Sequence, residues 1–267
     1  MKSYKAAETM KAYVDITKTR RRIIVLSAVM ILLLLSLLGV FVIYPFWLTH
    51  QDYALYGGMT DELRDSELYD DLQSGKTICF VGDSITYGNE ADGIHWYHPL
   101  IPYTAGKIKN FSHGGWAVED LIENKSRIPK ADVYVIAIGT NDVVVYDEKK
   151  AAKDPDEYIS RIEELTTIIK GISSDAKLYF ITPWVLIGWG EKTDSRNTGF
   201  RNALIDWCGK SDIACIDPSP VIYEELNKKG YLTFMKADGC HPNYPEGVGL
   251  YSYAVLLADH NRKTGNQ

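Results

Sequence analysis

The sequence lacks several signatures that would point to other classes of protein. Only four of its 267 residues are cysteine (Cys79, Cys208, Cys215 and Cys240), and no two form a Cys-x-x-Cys pair. A zinc ribbon or a thiol-redox motif is therefore not encoded. No Gly-x-Ser-x-Gly pentapeptide occurs, so the nucleophile elbow of the α/β-hydrolases is missing. Internal repeats and low-complexity tracts are absent. Basic residues are in deficit over most of the chain: beyond residue 22, 22 Lys and Arg face 33 Asp and Glu. So acidic a body argues against a nucleic-acid partner, which needs a basic face.

One further absence organises the start of the chain. Residues 23–48 contain no charged side chain across 26 positions. As a helix this run spans about 39 Å at ~1.5 Å per residue, enough to cross a hydrocarbon core about 30 Å thick with some tilt. It exceeds the roughly 7–15 apolar residues of a cleavable signal peptide. It leads into Tyr44-Pro45-Phe46-Trp47, aromatics suited to a membrane interface, instead of a small-residue cleavage site. Before it, residues 1–22 hold seven Lys and Arg against two acidic residues, ending in Arg20, Arg21 and Arg22. This predicts a single-pass membrane anchor with a cytoplasmic amino terminus and everything after residue 48 outside. The expected organisation is a cytoplasmic tail (1–22), a transmembrane helix (23–48), a juxtamembrane linker (49–74) and a globular domain (75–267).

From residue 75 onward, short runs rich in Val, Ile, Tyr and Phe alternate with helical patterns. Strands are predicted at 77–81, 107–111, 132–138, 177–182 and 213–216. Helices are predicted at 98–105, 118–125, 155–172, 195–209, 220–229 and 246–261, with a surface helix capped by Thr60 over 60–72. Such alternation means an α/β protein with a parallel sheet covered by helices on both faces. Cys208 and Cys215, seven residues apart, are the pair best placed to join a helix end to the next strand by a disulfide.

Four stretches after strands, or just before the last helix, carry groups for acyl transfer. Gly82-Asp83-Ser84 breaks the first strand and leaves Ser84 at the rim of the sheet, where open α/β folds place ligands. A serine hydroxyl needs a base, and His241 in Asp238-Gly239-Cys240-His241 supplies one. Asp238 is near enough in sequence to hold the imidazole in the correct tautomer. Backbone N–H groups of Ser84 and Gly115, with the side-chain amide of Asn141 in Gly139-Thr140-Asn141-Asp142, provide three donors for an oxyanion. Taken singly, each stretch also reads as a turn or a helix cap. A metal centre built from Asp83, Asp142, Asp238 and His241 would lack a second His or Glu cluster.

In combination, over about residues 75–262, the blocks resemble those of the SGNH (GDSL) hydrolase superfamily. Ser84 matches the first block, Gly115 the second, Asn141 the third, and Asp238 with His241 the last. The resemblance implies a flavodoxin-like, three-layer αβα sandwich with five parallel strands in the order 2-1-3-4-5. It implies ester hydrolysis or acyl transfer without a metal or other cofactor.

The substrate is read from the surroundings of these blocks. His95, Trp96, Tyr97, Tyr146, Trp184 and Trp189 fall in loops expected near the cleft. Trp184, Tyr146 and Trp96 are expected to form substrate walls, Trp184 foremost because it follows the fourth strand directly. A tethered domain facing outward meets envelope polymers first, and anchored relatives of this family include carbohydrate acetylesterases and O-acetyltransferases. The expected substrate is therefore an acylated surface carbohydrate. Lipid or thioester hydrolysis and acyl transfer are the alternatives among enzymes. An inert glycan-binding protein is the alternative outside them, and the intact Ser84, Asp238 and His241 argue against it.

Overall fold

The computed structural model describes residues 20–21, 23–43, 55–88 and 93–265. The chain falls into two compact units, residues 1–52 and 53–267. In the first, Ile23–Phe41 forms one helix with a mean hydropathy of 3.0. Its 19 residues extend about 28 Å at ~1.5 Å each. A membrane-spanning segment and a signal sequence share this length and composition. The aromatic run at 44–47 lies outside the described residues.

The second unit begins earlier than the sequence suggests. The stretch expected as a linker packs into the core over its described part, with Leu55, Leu63, Leu68 and Leu72 all buried. It forms two short helices, α1 (Asp61–Arg64) and α2 (Glu67–Gln73), instead of one. The break follows from capping: Thr60 accepts from Leu63 N, and Ser66 then caps anew by accepting from Tyr69 N. Buried Asp259 takes the Leu68 N–H at 2.6 Å, and Lys177 reaches Glu67 and Asp71 at 2.6 and 2.8 Å. Those bonds lock α2 to the body.

The remaining elements follow in order. They are β1 (Ile78–Gly82), α3 (Ser84–Tyr87), β2 (Ile108–Ser112), α4 (Val118–Glu123), β3 (Val133–Ala137), α5 (Thr140–Val144), α6 (Pro155–Ile172), β4 (Lys177–Ile181), α7 (Glu191–Ser211), β5 (Ala214–Ile216), α8 (Ser219–Lys229) and α9 (Glu246–Thr264). The segment predicted as a helix over 98–105 is a 3-10 helix, His98–Tyr103, interrupted by Pro102. All five strands are parallel in the order β2-β1-β3-β4-β5. Helices α4, α6 and α7 pack side by side, while α9 gathers α1, α2, α8 and the 3-10 helix. The protein is thus an α/β sandwich with the expected strand order.

The central strands β1 and β3 are buried along their full length, as strands covered on both faces must be. Helix α6 shows the local logic. Pro155 opens it, Asp154 caps it by accepting from Glu157 N, and Tyr158, Ile162, Leu165 and Ile169 make its buried stripe. In register, Gly82 lies opposite Ser112 on one side and Ala137 on the other, so β1, β2 and β3 end together. Their carboxyl ends form the shelf on which the candidate site stands. All four cysteines are free thiols, so the Cys208–Cys215 bridge that the spacing permits is not formed.

Candidate active site

The shelf begins at Gly82. A Cβ there would lie 2.3 Å from Ala137 O and 2.4 Å from Thr86 Oγ1, so only glycine fits. The chain then turns into α3. Asp83 caps it, its Oδ1 accepting from Ile85 N at 3.1 Å, which sets Ser84 at the first helical position with its side chain half-buried. Ser84 Oγ lies 2.8 Å from His241 Nε2, across 157 residues of sequence.

His241 is positioned by a tight loop before α9. One oxygen of Asp238 accepts the N–H groups of Cys240 and His241 at 2.9 and 3.0 Å, and the other lies 2.8 Å from His241 Nδ1. Burial pushes this carboxyl up, but the two N–H groups and the imidazole outweigh it and hold it below the usual range. Gly239 adopts φ +65°, and a Cβ on it would sit 2.0 Å from Ile187 O. Ile187 N donates to Gly239 O at 2.8 Å, and Trp189 Nε1 donates to Asp238 O at 2.9 Å. The stretch after β4 therefore clamps the Asp238–His241 loop from outside.

Two loops complete the site. Gly115 follows β2 with φ +80° and sits against the ring of Tyr146. Asn141 lies in the first turn of α5 and donates from Nδ2 to Trp116 O at 2.9 Å, tying that loop to the one after β2. One of its two amide hydrogens is thereby engaged and the other is left for a ligand. Asp142, fully buried, accepts from Val118 N and Ala152 N at 3.2 and 2.9 Å and pins α5 from beneath. Burial pushes the carboxyls of Asp83 and Asp142 each up to about 6.

Ser84, Gly115, Asn141, Tyr146, Asp238 and His241 all line one pocket of about 410 Å³. Gly114 lines it too, next to Gly115. A cleft of similar size, about 450 Å³, lies at the opposite end of the sheet, beside Lys177, Cys208, Ala214 and Arg262. The charges of Lys177 and Arg262 are satisfied there by Glu67, Asp71 and Asp259, and no nucleophile–base pair faces it.

Two expected substrate walls are corrected by the structure. Trp184 is 1% exposed and Trp96 0%, and neither reaches the pocket. After β4 the chain stays buried through Leu186, so the Trp184 ring turns inward and stacks on Tyr251 of α9 at 4.8 Å. Trp96 donates from Nε1 to Thr86 Oγ1 and packs at right angles against Phe80. His95 and Tyr97 are likewise engaged away from the pocket, stacked on one another at 4.8 Å. Tyr87, His113, Thr140 and Val144 line the pocket without having been singled out from sequence. Tyr87 lies three residues after Ser84 and His113 two residues before Gly115, and that proximity to the motif residues was the signal available. Among the described residues, no group of three or more His, Cys, Asp or Glu is arranged to hold a metal ion.

A parallel α/β sandwich with a serine, a histidine and an aspartate joined in sequence at the carboxyl ends of its strands defines a class of ester-hydrolysing enzymes. The family model for GDSL-like lipase/acylhydrolase proteins matches residues 80–245, and the chain belongs to that family. Solved structures share the fold. A candidate GDSL-like lipase from Parabacteroides merdae ATCC 43184 is 20% identical with a TM-score of 0.60, the match covering 70% of this chain and 97% of that one. An acetylxylan esterase from Geobacillus stearothermophilus is 20% identical with a TM-score of 0.59, over 71% and 96% of the two chains. An alpha/beta hydrolase from the metagenome of Lake Arreo, Spain, is 18% identical with a TM-score of 0.56, over 69% and 95%. No curated protein sequence matches significantly.

Proposed function

We propose that this esterase acts outside the cytoplasm and removes acyl groups, acetyl foremost, from cell-surface carbohydrate by means of Ser84, His241 and Asp238. The observation that carries the reading is the unbroken relay of two 2.8 Å contacts from Asp238 through His241 to Ser84. His241 Nε2 takes the Ser84 proton as Oγ attacks the acyl carbon. The oxyanion that forms is met by the N–H groups of Ser84 and Gly115 and by the free amide hydrogen of Asn141. Collapse of the intermediate expels the sugar hydroxyl, which takes the proton back from His241. Water then enters, gives a proton to His241 and frees the acid, restoring Ser84. Asp238 holds Nδ1–H throughout and stabilises the imidazolium.

The location rests on the uncharged helix Ile23–Phe41 with Arg20 and Arg21 before it. The carbohydrate reading draws on the likeness to the acetylxylan esterase and on that outward placement. The test is hydrolysis of acetylated oligosaccharides, short-chain esters and long-chain esters by wild type and Ser84→Ala. Release of acetate from the oligosaccharides by wild type alone, at an unaltered Tm for the variant, is the expected result. Wild-type turnover in Ser84→Ala would transfer the nucleophile elsewhere. Preference for long-chain esters would replace carbohydrate by lipid.

A further inference from the structure

Among the described residues of the globular unit, three of the six large hydrophobic side chains left exposed are gathered at the pocket mouth. Tyr146 is 72% exposed, Tyr87 44% and Trp189 42%, and all three line the pocket. Isolated exposed side chains need no explanation, but a group of rings around a polar floor does. That floor is Ser84, Thr140, Asn141 and His241.

The two most useful rings stand on different supports. Tyr146 leans over Gly115, on the side of the proposed oxyanion donors, where a Cβ on the glycine would meet its ring at 2.8 Å. Trp189 belongs to the other side, its indole N–H bound to Asp238 O. Tyr146 is also presented at a cost. The residue before it, Val145, adopts φ +54° and ψ +53°. A β-branched residue is a poor occupant of the left-handed region, and strain of this kind persists where the surroundings impose it, often at functional sites. Here it ends α5 abruptly, and Tyr146 N turns back to Asn141 O at 3.1 Å. The backbone that carries the ring is thus fixed relative to Asn141, although little protein covers the ring itself.

We propose that Tyr146 and Trp189 are the two walls of a sugar-ring subsite, one fixed to the oxyanion loops and the other to the acid–base loop. The proposal rests on the carbohydrate reading given above. A pyranose has apolar C–H faces and a polar edge, so it suits aromatic walls over a hydrogen-bonding floor. An acyl chain would want a continuous apolar groove. With a ring held between the walls, an ester on its edge is presented to Ser84. Trp189 has a second part as a positioning residue, because its N–H steadies the loop that carries Asp238 and His241.

The experiment compares kcat/KM for an acetylated xylo-oligosaccharide with that for ethyl acetate, which has no ring to stack. Tyr146→Ala and Trp189→Ala are each expected to lower the ratio of the two about five- to tenfold, the worth of one lost ring contact. Trp189→Phe keeps a ring but loses the N–H. It is expected to retain most of the ratio while the pH profile of kcat changes, a readout that simple packing would not move. Because Tyr146 is largely exposed, its replacement tests the wall without threatening the fold. An unchanged ratio in Tyr146→Ala, with wild type active on the oligosaccharide, overturns the walls and leaves the deacylase reading standing. Activity of wild type on ethyl acetate but on no acetylated oligosaccharide overturns both.

Discussion

At the scale of single residues, Asn141 and Asp83 separate chemistry from architecture. Asn141 holds Trp116 O with one amide hydrogen and offers the other to the pocket. Asn141→Ala is expected to lower kcat by about 10²–10³ with KM nearly constant, as for one lost oxyanion donor. It should also lower stability by roughly 0.5–1.5 kcal/mol through the orphaned Trp116 carbonyl. A lower Tm with unaltered kcat would remove Asn141 from the chemistry. Asp83 is fully buried, with Oδ1 capping α3 and Oδ2 lacking a partner. Burial raises its carboxyl from 3.8 to about 6. Between those values the native protein binds more protons than the unfolded chain. The contribution of Asp83 to stability is therefore full below 3.8 and is lost as pH rises through about 6. Asp83→Asn preserves the cap and removes the buried charge. It is expected to stabilise the protein at pH 8 by roughly 1–3 kcal/mol, and far less at pH 4; equal gains at both would show that the carboxyl does not titrate this way. These residues were legible in sequence because each sits inside a short motif whose turn chemistry is local. The aromatic rings were not. Whether Trp184 faces substrate or core depends on Tyr251, 67 positions away in α9.

At the scale of elements, the strands were readable as apolar runs, with each observed strand within one or two residues of expectation. Helix α6 was read at its observed limits because Asp154 and Pro155 mark its start so clearly. The one-turn helices α3 and α5 were not, since four or five residues carry no periodicity. Their existence depends on caps and buried carboxylates. The break between α1 and α2 was equally hidden, because a single serine, Ser66, re-caps the second helix. The clamp between the stretch after β4 and the acid–base loop belongs to this scale as well. Gly239→Ala would drive a Cβ into Ile187 O, 2.0 Å away, at a positive φ. It is expected to displace Asp238 and His241 together, with kcat on a small ester reduced at least about tenfold (one 1.36 kcal/mol step in barrier height) while circular dichroism still shows a folded protein. Full activity in this variant would mean that the loop tolerates movement the relay does not.

At the scale of the whole molecule, the candidate site lies wholly in the second unit, while the first holds a helix long and apolar enough to cross a membrane. Leu55, Leu63, Leu68 and Leu72 place the start of the second unit within its own core. Removal of residues 1–52 is accordingly expected to yield a soluble esterase with the kcat/KM of the full chain on a small ester. Removal of residues 1–74 would strip α1 and α2 from α9 and expose Asp259, whose carboxylate takes Leu68 N. That shorter chain is expected to aggregate or to melt well below the longer one. Sedimentation and thermal melts of the two decide the point, and equal Tm values would return residues 55–74 to the role of a linker.

The 157 positions between Ser84 and His241 have a consequence for the life of the chain before it is complete. A ribosome delivers the proposed nucleophile with the first strand and the proposed base only 157 residues later. For most of synthesis the growing polypeptide carries a serine that nothing deprotonates. The proposed relay is complete only once the Asp238–His241 loop has been made and is held by Ile187 and Trp189. Under the proposed mechanism, any fragment ending before residue 238 is chemically silent however well its sheet has formed.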